Sequence, residues 1–123
     1  MSGIDCLVDT NILILVQNGN NQIVNFIDGK NVFVSFITEI ELLSKPGLTI
    51  AHQKQVNLML DDCIILNYSE KIKDKTIQLR RKYGVKLPDA MIASTAIIFD
   101  LPLITCDKGF KKIKELDLVL IDI

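Results

Sequence analysis

Val32-Phe33-Val34-Ser35-Phe36 runs without a break into Ile37-Thr38-Glu39-Ile40-Glu41-Leu42-Leu43, and Pro46-Gly47 follows three residues later. The first five residues are mostly β-branched or aromatic, the composition of a strand. The following segment reads as a helix that carries Glu41 and stops at Pro46-Gly47. A short apolar strand passing straight into a helix is the repeating unit of an α/β sheet.

The same alternation extends in both directions. Upstream, residues 4–8 read as a strand and 11–17 as a helix broken by Asn18-Gly19-Asn20. Residues 22–28 form a second short helix ended by Gly29. Downstream, 49–61 is helical, 63–66 a strand and 70–83 a helix with apolar residues at helical spacing, closed by Gly84. Pro88 sits where a first helical turn accepts it, and residues 89–99 are apolar almost all round, which predicts a buried helix. Residues 103–105 form a strand, 108–116 a short helix and 118–121 the last strand. Five short apolar strands with helices between most of them predict an α/β fold with a mainly parallel sheet. With no linker, repeat or low-complexity segment, residues 1–123 read as one domain.

Composition fits that picture. The chain of 123 residues is 49% apolar and 24% charged, as globular domains are. No apolar run approaches the roughly 18 residues that span a bilayer, so no membrane association is expected. The amino-terminal residues show no targeting pattern, which predicts a soluble cytoplasmic protein. A net charge of −1 argues against general coating of nucleic acid but leaves room for local basic patches. Cys6, Cys63 and Cys106 lack metal-type spacing and sit in or beside apolar stretches, so they are expected to be reduced packing residues. His52, the single histidine, is expected on a helix surface.

Four acids stand out by position. Asp9 follows the first strand, Glu41 lies about one turn into the helix after the second, and Asp107 comes two residues past Thr105. Asp89 opens the buried helix. Open parallel sheets carry their sites beyond the carboxyl ends of the strands. Each acid also has a structural role to offer. Asp9 and Asp107 can cap the helices after them. Thr38 and Glu41 fit a capping box with Thr38 as cap. Asp89 suits a helix N-terminus. Their common location favours a shared site, since carboxylates brought together repel one another unless a cation joins them. Hard oxygen donors suit Mg²⁺ or Mn²⁺, which can activate water and stabilise charge on a phosphate oxygen. Glu39 is expected to face solvent.

The residues also resemble a known family. Leu7-Val8-Asp9-Thr10-Asn11, residues 33–42, Leu87-Pro88-Asp89-Ala90-Met91 and Leu103-Ile104-Thr105-Cys106-Asp107-Lys108 resemble, in order, the motifs of PIN domains, including the VapC-type toxins of toxin–antitoxin pairs. The resemblance implies an α/β/α sandwich, Mg²⁺- or Mn²⁺-dependent endoribonuclease activity, a homodimer and an antitoxin partner. It places Asp9, Glu41, Asp89 and Asp107 as catalytic and metal-holding acids, with Asn11 and Thr105 in support. Arg80, Arg81, Lys86 and Lys108 are the candidates for contact with the RNA substrate, within the basic groups at 80–86 and 108–114. Two rivals stand beside this reading. One is a non-catalytic RNA- or protein-binding module of the same fold. The other is an acidic α/β phosphatase, which usually wants a second acid where this chain has Asn11.

Overall fold

The computed structural model describes residues 3–123; Met1 and Ser2, the start of the segment read for targeting, lie outside the described residues. Strand β1 (Asp5–Val8) leads into helices α1 (Thr10–Gln17) and α2 (Asn21–Ile27). Strand β2 (Asn31–Ser35) leads into α3 (Phe36–Leu43) and α4 (Ile50–Asp61), and β3 (Ile64–Leu66) into α5 (Glu70–Tyr83) and α6 (Leu87–Ile98). Strand β4 (Leu103–Thr105) reaches β5 (Leu118–Leu120) through a 3₁₀ segment (Lys108–Lys112).

The sheet order is β3-β2-β1-β4-β5, and all four pairings are parallel. The chain winds outward from β1 to β3, then returns to the opposite side of β1. The order therefore reverses between β1 and β4. At such a switch point the connections leave in opposite directions and open a crevice at the strand ends.

Alternation along the central strands builds the two flanking layers. Successive strand residues face opposite sides of a sheet. Leu7 and Leu103 join one core cluster with Leu79, Ile92, Ala96 and Phe110, from α5, α6 and the 3₁₀ segment. Cys6, Val8 and Ile104 join the other with Ile12, Ile23, Leu42 and Leu60, from α1, α2, α3 and α4. The result is the expected three-layer sandwich, with the sheet wholly parallel. Helix α6 is buried along Ala90 and Ile92–Ala96, although its ends reach the surface at Leu87 and Phe99. Among the described residues no helix is long and apolar enough to cross a membrane.

Two local expectations change. The helix after β2 starts at Phe36, with Ser35 as its cap: the Ser35 hydroxyl accepts the Ile37 amide at 3.2 Å. Thr38 is therefore inside the helix and cannot head a capping box with Glu41. The segment after Asp107 is a 3₁₀ turn rather than the expected helix over 108–116. Phe110, Ile113 and Leu116 are buried at intervals of three, and the amides of Ile113 and Leu116 bond back three residues. A period of three suits the 3₁₀ form better than 3.6 residues per turn.

The cysteines are free, and burial pushes the Cys63 thiol up to about 11. His52 lies exposed on α4. Because α6 packs between sheet and solvent through Ile92, Ile92→Ala should cost about 2–5 kcal/mol. Urea titration should show a lower midpoint with an unchanged slope; an unshifted midpoint would contradict the central place of this helix.

Candidate active site

Asp9 stands one residue beyond β1, where its amide still bonds the Ile104 carbonyl at 3.0 Å. The side chain is only 4% exposed. One carboxylate oxygen accepts the Thr10 amide at 2.7 Å and so caps α1; the other accepts the Thr105 hydroxyl at 2.8 Å. Burial raises the Asp9 carboxyl above its ordinary value. The two hydrogen bonds oppose that rise, while the nearby charges of Asp89 and Asp107 add to it.

Thr105 ends β4 and is fully buried. Its hydroxyl donates to Asp9 and also accepts the Asp107 amide at 3.0 Å. One side chain thus positions two of the acids. Asp107 in turn caps the 3₁₀ segment by accepting the Gly109 amide at 2.8 Å. A methyl group at Gly109 would stand 3.0 Å from that same Asp107 oxygen, so glycine keeps the turn tight.

Glu41 projects from α3 and accepts the Thr10 hydroxyl at 2.8 Å. That hydroxyl lies 2.9 Å from the hydroxyl of Thr38, which is fully buried. A hydroxyl has one proton. With Glu41 ionised, Thr10 spends its proton on the carboxylate, so Thr38 must be the donor to Thr10. A directed chain, Thr38 to Thr10 to Glu41, therefore joins α3 to α1.

Asp89 lies in the first turn of α6, behind Pro88. Burial is the main cause of its raised carboxyl, with Asp107 and Glu41 adding repulsion and Lys86 and Lys112 offsetting part of it. Among the described residues it has no side-chain hydrogen bond and none of the four acids forms an ion pair.

A cavity of about 410 Å³ brings these groups together: Asp9, Thr10, Asn11, Glu41, Asp89 and Asp107 all line it. Asn11 is exposed at its edge and makes no side-chain bond to the acids among the described residues. Glu39 is absent from the lining and partly exposed. Of the basic candidates, Lys86 lines an adjoining cavity with Asp89 and Asp107. Lys108 lines a different one beside Cys106 and Lys111. Arg80 and Arg81 lie in the last turn of α5, and Arg80 Nε donates to the Val85 carbonyl at 3.3 Å.

Sequence reasoning missed three residues. Thr10 and Thr38 were masked by helix-forming and capping patterns. Lys45 lines the acid cavity just past the end of α3, and only its place at the strand-end rim could have suggested it.

The donor set is all oxygen and anionic, which fits a hard divalent cation. Among the described residues no three acids are gathered closely enough to hold a metal ion between them. Burial and mutual repulsion of the carboxylates are what a bound cation would relieve.

The PIN-domain family model matches residues 6–116. The chain belongs to the PIN-domain family. A chain of a toxin–antitoxin complex from Klebsiella pneumoniae is 33% identical, with TM-score 0.80 over 93% of this chain and 95% of that one. A chain of VapBC2 from Rickettsia felis, solved with a promoter DNA fragment, shares the fold at 24% identity and TM-score 0.85, covering 97% of this chain and 100% of its own. A chain of VapBC-1 from nontypeable Haemophilus influenzae does so at 24% and 0.80, covering 95% and 98%. A search of curated proteins returned no match.

Two outcomes follow from the acids and their hydroxyl supports. A carboxyl whose folded value is raised above 3.8 holds more protons in the folded than in the unfolded chain. Its contribution to stability is present below that ordinary value and is lost as pH rises through the raised one. In metal-free buffer the melting temperature should therefore carry a decline as pH rises above the ordinary carboxyl value of 3.8, and Asp9→Asn, which keeps the cap, should decline less. A steeper decline in Asp9→Asn would reject the repulsion. Thr10→Val should cost about 1–3 kcal/mol, because it leaves the Thr38 hydroxyl without its acceptor. Thr10→Ser should retain wild-type stability, and equal losses in both would rule out the hydroxyl chain.

Proposed function

We propose that this chain is a Mg²⁺- or Mn²⁺-dependent endoribonuclease, the toxin of a toxin–antitoxin pair. The observation that carries the reading is the meeting of four carboxylates in one cavity at the sheet's switch point, with no cationic side chain paired to any of them among the described residues. Family membership supports nuclease chemistry. The relative in the Klebsiella pneumoniae toxin–antitoxin complex supports an antitoxin partner. The same reading includes one nuclease domain over residues 1–123, an RNA substrate, a homodimer and a cytoplasmic location.

Asp9, Glu41, Asp89 and Asp107 would hold the cation. When bound, it supplies a water that loses its proton readily and charge stabilisation for a phosphate oxygen. The rest is the work of the chain. Thr105 and the Thr10 amide fix both oxygens of Asp9, and the Thr38–Thr10 chain fixes one oxygen of Glu41. Such preorganisation lets the carboxylates meet the reacting phosphate without rearranging. Asp89 is left free of side-chain hydrogen bonds, so one of its oxygens is open to take a proton from the attacking water. The water oxygen bonds to phosphorus as its proton passes to Asp89, the bond from phosphorus to the ester oxygen breaks, and that oxygen leaves with a proton returned by Asp89 or taken from solvent.

The variants Asp9→Asn, Asp89→Asn and Glu41→Gln should each lose metal-dependent cleavage of single-stranded RNA by about a hundredfold or more, the scale of losing a preorganised electrostatic group. Their circular dichroism should match the wild type. Unchanged cleavage by purified Asp9→Asn or Asp89→Asn would sink the site. Failure of wild-type protein to cut RNA in either metal, with the fold intact, would favour the non-catalytic binding module.

A further inference from the structure

We propose that Lys86 and Lys112 form a subsite for a backbone phosphate of the RNA strand next to the one being cut. The assignment rests on the proposed ribonuclease reading and gives the cleft a direction.

A second cavity, of about 270 Å³, lies beside the acid cavity. Asp89 and Asp107 line both, so these two carboxylates are the wall between them. Lys86 and Lys112 line only the second. A strand whose reacting phosphate sits among the acids meets these lysines immediately across that wall.

The lysines are available for this contact. Both are exposed, and among the described residues neither forms an ion pair. Both line the same small cavity as Asp89 and Asp107 without pairing to either. A phosphate placed between them would be attracted by two compact, strongly hydrated charges.

The rim is also open to a bulky backbone. Gly84, in the left-handed conformation at φ 66°, and Gly109 line this cavity and present no side chain. Lys86 is the cap residue of α6 and makes no side-chain cap bond. The first amides of that twelve-residue helix therefore lack a side-chain acceptor there, and its positive dipole end adds to the two ammonium groups.

The other basic residues near the acids do not line this second cavity; Lys45 lines only the acid cavity. Lys108 and Lys111 line a cavity that contains none of the four acids. Arg80 is partly engaged with the Val85 carbonyl. Lys86 and Lys112 come from separate elements, α6 and the 3₁₀ segment, which the fold brings to one side of the acid wall.

The test compares wild type, Lys86→Gln, Lys112→Gln, the double variant and Lys111→Gln as a control for net charge. Cleavage of a short single-stranded RNA in Mg²⁺ gives KM and kcat. Fluorescence anisotropy of the same RNA, in an Asp9→Asn background and across a salt series, gives affinity. The double variant should raise KM, leave kcat near wild type, and make the slope of log affinity against log salt shallower by roughly 0.7, one phosphate on a single strand. Lys111→Gln should change none of these. The subsite is rejected if the double variant keeps wild-type KM and slope while wild type cuts RNA, a result that leaves the ribonuclease reading standing. It is equally rejected if only kcat falls, which would mean that the lysines act on Asp89, or if Lys111→Gln matches the double variant. Wild type that neither binds nor cuts RNA overturns the subsite together with the reading it rests on.

Discussion

A single hydrogen bond, from the Thr105 hydroxyl to the Asp9 carboxylate, joins residues 96 positions apart and stands where two parallel strands end together. Asp9 is almost fully enclosed, and an enclosed carboxylate without partners is costly. The pairing of β1 with β4 supplies the solution. It sets the Asp9 amide on Ile104 and the Asp9 side chain on Thr105, and it directs the Asp107 amide onto the same hydroxyl. The position of two acids thus follows from one strand pairing. The third and fourth are brought in by helices: α3, held to α1 through Thr10 and Thr38, and α6, held by its apolar face.

Much of this was legible in the sequence because the signals were local and strong. Strands rich in Val, Ile and Phe, the Pro88 entry to α6 and the Gly84 exit from α5 all act through backbone and side-chain preferences within a few residues. What could not be read depended on distant partners. The Thr38 hydroxyl reads from sequence as the cap of Glu41's helix, and only the approach of α1 reveals its bond to Thr10. Ser35 was a cap hidden at the end of a strand pattern. The 3₁₀ segment was disguised because three residues at intervals of three resemble a helical stripe over so short a length.

The acids also show that capping a helix and lining a cavity need not compete for a residue. Asp9 and Asp107 are helix caps and line the acid cavity at once. A carboxylate has two oxygens and several lone pairs. One oxygen of Asp107 accepts the Gly109 amide, and no protein group among the described residues bonds to the other. Glu41 divides its oxygens in the same manner. The cap therefore orients the acid while leaving a lone pair for something else, and the protein gains a fixed direction for that lone pair without adding a residue.

The separation of 96 positions between Asp9 and Thr105 also has a meaning in time. In a growing chain Asp9 precedes its partner by 96 positions, so β1 has no partner on its β4 side until β4 itself has been made. Pairings between strands so far apart are late and slow, since the entropy of closing a long loop precedes their reward. Until β4 docks, Asp9 lacks the Thr105 hydroxyl, and Asp107 cannot reach the same rim. The acid cavity is consequently a property of the finished molecule. A chain stalled short of β4 lacks both the Thr105 hydroxyl and the Asp107 carboxylate, so the four acids come together only after β4 is in place.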